Sequence, residues 1–213
     1  MTEARIVIID YNSGNLRSVS NAIESIKEKN QEILISNQVE DLKNASHIIL
    51  PGTGAFADCM AGLKAINFMI DEIKNQVLIA KKPFLGICVG MQILADYGYE
   101  NGVCDGLALI GGKVVKIDNQ NNNLKIPHIG WNDLQIKKQN HPILNGLKSG
   151  DFAYFVHSYH FVCDDQNNIL ATVDYGQKIA AIIEKDNIIA TQFHPEKSAA
   201  AGLKLLKNFI NLN

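Results

Sequence analysis

Pro83-Phe84-Leu85-Gly86-Ile87-Cys88-Val89-Gly90-Met91-Gln92 is the stretch that decides how this chain folds. An apolar, strand-like run from Pro83 to Ile87 leads straight into Cys88, and a helical pattern follows at once. A cysteine flanked by glycine two positions away on either side, at a strand-to-helix junction, is the arrangement of a nucleophile elbow. Such a turn strains the central residue, and only small neighbours let strand and helix approach closely enough. The side chain is then presented at the carboxyl edge of a parallel sheet, where ligands bind. The helix starting near Val89 is expected to aim its positive end at the sulfur, lowering the thiol pKa from its usual value of about 8.5. A structural alternative stands beside this one: glycines around a buried cysteine simply permit close packing.

Working outward, the first half alternates β-branched runs with stretches of helical period. Arg5 to Asp10, Glu32 to Ser36 and His47 to Leu50 read as strands, the last ending at Pro51-Gly52. Leu16, Val19, Ile23 and Ile26 repeat at helical spacing, and the pattern from Ala55 to Lys81 is helical throughout. The second half is richer in strands, at Lys113 to Ile117, Phe152 to Val156, Ile169 to Val173, Ile179 to Glu184 and Ile188 to Phe193. A tight turn is expected at Asp186-Asn187, a surface loop at Asn119 to Asn123, and a last helix from about Ala199 to Ile210. The expected fold is α/β, with an open, largely parallel central sheet, flanking helices and additional antiparallel strands in the second half. No linker or repeat divides residues 1–213, so one domain is expected.

The chain has 213 residues, 46% of them hydrophobic, enough for a sizeable core. Lysine and arginine number 20 against 22 acidic residues, and a net charge of -2 offers no broad basic field for nucleic acid or anionic lipid. The only apolar run near the start, Ile6 to Ile9, is too short for a signal-peptide core or a membrane span, so a cytoplasmic location is expected. Cysteines 59, 88, 104 and 163 form no C-x-x-C pair, which argues against a zinc ribbon or a disulfide scaffold; neither metal nor cofactor is expected.

A thiolate that forms a thioester needs a proton donor for the leaving amine and a base for water, and histidine serves both. His194 and Glu196 flank Pro195 after an apolar run; at that spacing in an extended segment both side chains point to one side, and the carboxylate can fix the imidazole tautomer. The alternative is that Glu196 caps the last helix and His194 is a turn residue. His157 and His160 are rival bases without a carboxylate nearby in sequence. Pro51-Gly52-Thr53-Gly54-Ala55-Phe56-Ala57 can supply oxyanion-hole N–H groups together with Val89, or, through Gly52, Gly54 and Ala57, match dinucleotide-fold spacing. A plain strand-to-helix turn is the structural alternative. The dinucleotide reading lacks its acidic partner, because Asp71 and Glu72 fall within a helical pattern.

These residues resemble a known family. Gly86-Ile87-Cys88-Val89-Gly90-Met91-Gln92 and Phe193-His194-Pro195-Glu196 are similar to the two motifs of the class I, triad-type glutamine amidotransferases. Tyr11-Asn12-Ser13-Gly14-Asn15-Leu16-Arg17-Ser18, Leu50 to Phe56, Pro127-His128-Ile129-Gly130-Trp131-Asn132 and His194 to Ser198 narrow the resemblance to the glutaminase subunits of imidazole glycerol phosphate synthases, over essentially the whole chain. The resemblance implies that glutamine is hydrolysed to glutamate and ammonia, and that ammonia passes to a separate cyclase subunit in a heterodimer. That cyclase forms imidazole glycerol phosphate and aminoimidazole carboxamide ribonucleotide in histidine biosynthesis. It implies Cys88 as nucleophile, His194 as acid and base, and Glu196 as its orienter. Backbone groups of Gly52, Thr53 and Val89 would form the oxyanion hole, and Gln92, Glu100 and the backbone of His157, Ser158 and Tyr159 would hold glutamine. Asn12, Asn15, Arg17, Pro127, His128, Gly130, Trp131, Asn132 and Lys197 would belong to docking and gating at the cyclase interface. Without the cyclase and its ligand, the Gly52-Thr53 turn would point a carbonyl at the oxyanion position, keeping basal activity low.

Three departures from the family pattern are mild: Thr53 where valine is usual, Val89 where leucine is common, and Ser13 where methionine is frequent. Thr53 keeps β-branching but adds a hydroxyl beside the oxyanion turn. Other functional readings are a paralogous glutaminase serving a different acceptor enzyme, such as a sugar-amidinating one, and a catalytically silent docking subunit. Intact Cys88, His194 and Glu196 argue against the second.

Overall fold

Parallel strands covered on both faces should show no apolar-polar alternation, and that is what the first half contains. The computed structural model describes residues 4–118 and 124–212. In it β1 (Ala4–Ile9), β2 (Gln31–Ser36), β3 (His47–Gly52) and β4 (Phe84–Cys88) lie parallel in the order β2-β1-β3-β4. Ile6 to Ile9, Ile48 to Leu50, Phe84 and Leu85 are fully buried. They are joined by α1 (Leu16–Glu24), α2 (Val39–Asn44), α3 (Phe56–Lys64) and α4 (Met69–Lys74), with a turn of π-helix at Asn75–Ile79. After β4 comes α5 (Val89–Gln92), a single turn.

The second half supplies two small sheets and the rest of the main one. The next strands in the chain are β5 (Tyr97–Gly98), β6 (Cys104–Asp105), β7 (Gly112–Lys116), β8 (His128–Asp133), β9 (Gln135–Ile136), β10 (Phe152–His157) and β11 (Tyr159–Cys163), of which only β9 belongs to the main sheet. β12 (Ile169–Asp174), β13 (Lys178–Lys185) and β14 (Ile188–Thr191) return to the main sheet, and α6 (Ala199–Ile210) follows. β14 inserts parallel to β4, and β13, β12 and β9 then extend the sheet antiparallel, giving β2-β1-β3-β4-β14-β13-β12-β9. β8 and β10 form a separate antiparallel ribbon, and β11-β7-β5-β6 a small third sheet. The fold is therefore α/β, with the mostly parallel half first and the antiparallel strands second.

Several elements differ from the sequence expectation. The helical pattern of Ala55 to Lys81 is broken: α3 ends at Lys64, and Phe68, in a left-handed conformation at φ 63°, starts α4. Met60 and Leu63 before the break and Met69, Ile73 and Val77 after it all face the core, so the buried face continues although the backbone helix does not. α2 escapes a periodicity search because its six residues bury only Leu42. β8 is masked by its polar and glycine positions. The turn at Asp186-Asn187 joins β13 to β14 with Lys185 paired to Ile188, and Asp186 has φ 54°. The expected loop at Asn119 to Asn123 lies outside the described residues.

The core runs along both faces of the main sheet. α1 packs Val19 and Ile23 inward, and α6 packs Leu205, Leu206, Phe209 and Ile210. Burial of side chains of this size stabilises by roughly 1.5–3 kcal/mol each before conformational entropy is subtracted. The result is a rigid frame whose strand ends, at Gly52, Cys88 and Thr191, share one edge.

Candidate active site

Cys88 closes β4 with φ 56° and ψ -112°, a conformation that a non-glycine residue adopts only when its surroundings enforce it. The enforcement is steric. A Cβ on Gly90 would lie 1.9 Å from the Leu50 carbonyl oxygen, so α5 starts in contact with the backbone of β3, and only glycine fits. The expected helix dipole is short, however, since α5 has four residues. Val89 heads it, and the amide of a first helical residue lies outside the intrahelical ladder.

Among the six histidines, geometry separates one from the rest. His194 Nδ1 lies 2.8 Å from Glu196 Oε1, with both side chains almost wholly buried. Glu196 sits in a 3-10 turn, Pro195–Lys197, rather than an extended segment, and its carboxylate faces the imidazole instead of capping α6. Nδ1–H donates to the carboxylate, which leaves Nε2 for Cys88. Burial, the largest influence on the ring, disfavours its charge; hydrogen bonding to Cys88 and Glu196 and their charges together outweigh it and push the imidazole up to about 9. Ser198 fixes the backbone, its Oγ donating to the His194 carbonyl at 2.7 Å and accepting Tyr154 N–H at 2.9 Å.

The rival histidines are otherwise engaged. His157 Nδ1 donates to the Tyr159 carbonyl (2.9 Å), so its Nε2 must accept from His128 Nδ1 (3.0 Å). His128 Nε2 then accepts from Asn132 Nδ2 at 3.3 Å. Burial foremost pushes His157 down to about 3 and His128 down to about 4, so both rings are neutral. His160 is buried and likewise shifted down, chiefly by desolvation.

A cavity of about 330 Å³ opens over Cys88. Its wall includes Thr53, Val89, Gln92, Glu100, Pro127, His157, Ser158, Tyr159, His194 and Lys197. Glu100 is anchored there by accepting Phe56 N–H at 2.8 Å, at the start of α3 where no residue caps the helix itself. Gln92 donates its amide nitrogen to the Tyr159 carbonyl (2.9 Å) and to Gln192 Oε1 (3.1 Å), so it shapes the wall rather than offering that nitrogen to a ligand. Gly52 pairs with Cys88 in the sheet but does not line the cavity.

Thr53 is held from the far side. Its N–H donates to Ser13 Oγ (3.2 Å), its carbonyl accepts from the same hydroxyl (2.7 Å), and its Oγ1 accepts Gly14 N–H (3.1 Å). Ser13 lies outside the cavity wall, so the Thr53 N–H is engaged by a group that does not line the cavity. The segment Tyr11 to Ser18 is thus fastened to the turn, a link invisible in the sequence, where Ser13 is only a departure from a pattern.

The remaining expected residues divide. Asn12, Arg17, Lys197 and Trp131, the last 53% exposed, are on the surface, with Ile129 and Phe152 exposed on the same β8/β10 ribbon as Trp131. Asn15 and Gly130 are half-buried and Pro127 is exposed. His128, expected at an interface, is buried and stacked between Phe155 and Tyr175, with Asn132 on its Nε2. The dinucleotide alternative fails on position, since Asp71 and Glu72 lie in α4. Among the described residues no group of three or more His, Cys, Asp or Glu is placed to hold a metal, and no helix is long and apolar enough to cross a membrane.

Comparison with known proteins points the same way as this geometry. The family model for glutamine amidotransferase class-I matches residues 7–212. Imidazole glycerol phosphate synthase subunit HisH of Pelagibacter ubique is 46% identical over 207 residues, spanning 97% of this chain and 99% of the relative. Imidazole glycerol phosphate synthase subunit HisH 1 of Campylobacter jejuni is 49% identical over 207 residues, spanning 97% of this chain and 100% of the relative. A solved structure of PurLQS from Thermotoga maritima shares the fold at a TM-score of 0.74 and 21% identity, with 98% of each chain covered.

Proposed function

The chain belongs to the class-I glutamine amidotransferase family, and on that footing we propose that it is the glutaminase subunit of an imidazole glycerol phosphate synthase, acting through Cys88 in the histidine pathway. The observation that carries the chemistry is Cys88 and His194 together in the wall of a cavity large enough for a single amino acid, with Glu196 behind the imidazole.

Cys88 Sγ attacks the side-chain carboxamide carbon of glutamine, and the carbonyl π electrons move onto oxygen. The imidazolium of His194, raised by its two partners, gives its Nε2 proton to the departing nitrogen as the C–N bond breaks, releasing ammonia and leaving a γ-glutamyl thioester. The now neutral ring takes a proton from water, hydroxide adds to the thioester, and glutamate leaves as the sulfur departs. Glu196 keeps the Nδ1 proton in place throughout. Val89 N–H and, after rotation of one peptide, Thr53 N–H would face the developing oxyanion. Glu100 and the His157-Ser158-Tyr159 backbone line the space for the amino-acid end.

The engagement of Thr53 by Ser13 supports a resting state with an incomplete oxyanion hole. A separate cyclase subunit would bind over the exposed Trp131 ribbon and the segment from Asn12 to Arg17 at the start of α1 and complete it, in a cytoplasmic heterodimer. The test is to mix the chain with a cyclase and its nucleotide and compare glutaminase rates with and without each. Stimulation by the histidine-pathway nucleotide is expected; its absence would point to another acceptor enzyme.

A further inference from the structure

Cys88 has a neighbour on each side in the sheet. On one side is Gly52; on the other, β14 runs parallel to β4 with Thr191 beside Ile87, so the next residue, Gln192, comes up beside Cys88. Gln192 is completely buried, and its amide nitrogen lies 3.9 Å from the Cys88 sulfur, within reach for a hydrogen bond to sulfur. We propose that Gln192 acts directly on the nucleophile, donating an N–H that stabilises the Cys88 thiolate and fixes its rotamer, with Gln92 locking the amide in that orientation.

The orientation follows from one backbone group. The Tyr159 carbonyl can only accept, so the Gln92 atom 2.9 Å from it is nitrogen. That nitrogen also lies 3.1 Å from Gln192, so the atom it meets is oxygen. The other end of the Gln192 amide, turned to the sulfur, is therefore nitrogen. Both amides are buried, and burying an amide is costly unless its groups are partnered; an apolar side chain would fill the space more cheaply. A donor on the sulfur is useful because charge there must coexist with the imidazolium of His194. The donor selectively favours the charged pair over the neutral one.

This role rests on Cys88 being the nucleophile, and the test separates the two claims. The ionisable groups facing the sulfur are His194 with Glu196 behind it, His157 across the cavity, and Tyr11 and Cys59. Glu100 and Lys197 line the same cavity, and none of these changes in the variants. The rate of iodoacetamide addition to Cys88, followed by mass of the Cys88 peptide, is measured from pH 5 to 10. It is compared in the whole chain with Gln192→Leu and the near-isosteric Gln192→Glu. Loss of the donor moves the inflection up by about one pH unit, a tenfold loss of thiolate at a given lower pH, with the same rate at the high-pH limit. In Gln192→Glu the upward shift is larger, since a carboxylate then faces the sulfur; this variant carries the test should Gln192→Leu not fold. Unmoved inflections in folded variants would overturn the role of Gln192 alone. Failure of glutamine to protect Cys88 in the unaltered chain would instead remove the nucleophile assignment.

Discussion

Gly52 and Cys88 stand directly opposite one another across the parallel pair β3 and β4. The glycine turn and Cys88 are thus at the ends of adjoining strands, and Thr53 beyond the turn lines the same cavity as the sulfur. In the proposed mechanism the sheet fixes the nucleophile, and the turn beyond it would decide whether charge on the substrate oxygen is met.

A glutamine-like electrophile is expected to add its mass to Cys88 alone. Of the four cysteines only Cys88 lines the cavity. Burial pushes the Cys59 thiol up, and burial with neighbouring Asp164 and Asp165 pushes Cys163 up to about 12, so neither is a ready thiolate. Peptide mapping by mass checks this, and Cys88→Ala should abolish glutamine-dependent turnover of the complex while ammonia-dependent turnover persists. Adducts at Cys59, Cys104 or Cys163 would contradict it.

Stability should fall as pH rises from 6.5 toward about 9 because of His194. Its folded pKa lies above the unfolded one, so the native state holds the extra proton; the contribution is complete below 6.5 and lost as pH passes about 9. The limiting slope is about 1.4 kcal/mol per pH unit. Urea midpoints across this range should decline more steeply for the unaltered chain than for His194→Gln. Parallel curves would show that the imidazole is not charged in the folded protein.

Ser13→Ala should raise glutaminase activity in the absence of any partner. It removes the group that holds both the N–H and the carbonyl of Thr53. Losing two hydrogen bonds worth about 1 kcal/mol net apiece, about 2 kcal/mol in the resting state, corresponds to up to roughly thirtyfold in rate. Ammonia release by the isolated chain is the measurement, and an unchanged or lower rate would mean that Ser13 does not hold the turn back.

Gly202→Ala should damage catalysis from a distance. A Cβ there would lie 1.9 Å from the Pro195 carbonyl oxygen, so α6 and the turn carrying His194 and Glu196 would be forced apart. Overpacking of this kind costs about 1–3 kcal/mol of stability. The turnover number should drop at least tenfold. KM should change little, and steady-state kinetics alongside a melting curve distinguish this from simple unfolding; a normal turnover number would show that the helix gives way instead.

Trp131→Ala should weaken binding of the cyclase by about 2 kcal/mol, roughly thirtyfold in Kd, as for a large aromatic at an interface centre. Trp131 is 53% exposed and lies off the cavity wall, so unstimulated glutaminase activity should stay within about twofold of normal. Calorimetric titration with the cyclase provides the measurement. Unchanged affinity would move the docking face elsewhere.

The parallel half of the fold was legible because burial on both faces writes unbroken apolar runs, as at Ile6 to Ile9 and Phe84 to Ile87. The placement of Cys88, and the meeting of His194 with Glu196, could be anticipated because motif spacing is local chemistry. Ser198 and Gln192 could not, since one acts through backbone groups of Tyr154 and His194 and the other through a neighbour brought alongside only by strand pairing. The burial of His128 was not legible, because a short motif does not reveal that Phe155 and Tyr175 close over it. The break at Phe68 was hidden because periodicity records which face is buried and is silent about backbone continuity.

The hold of Ser13 on Thr53 amounts to a pair of hydrogen bonds at a partly open rim. At about 1 kcal/mol net apiece, such a hold gives way to thermal agitation several per cent of the time. An unaccompanied chain would therefore leak a slow trickle of ammonia rather than fall silent, and its idle rate would climb on warming.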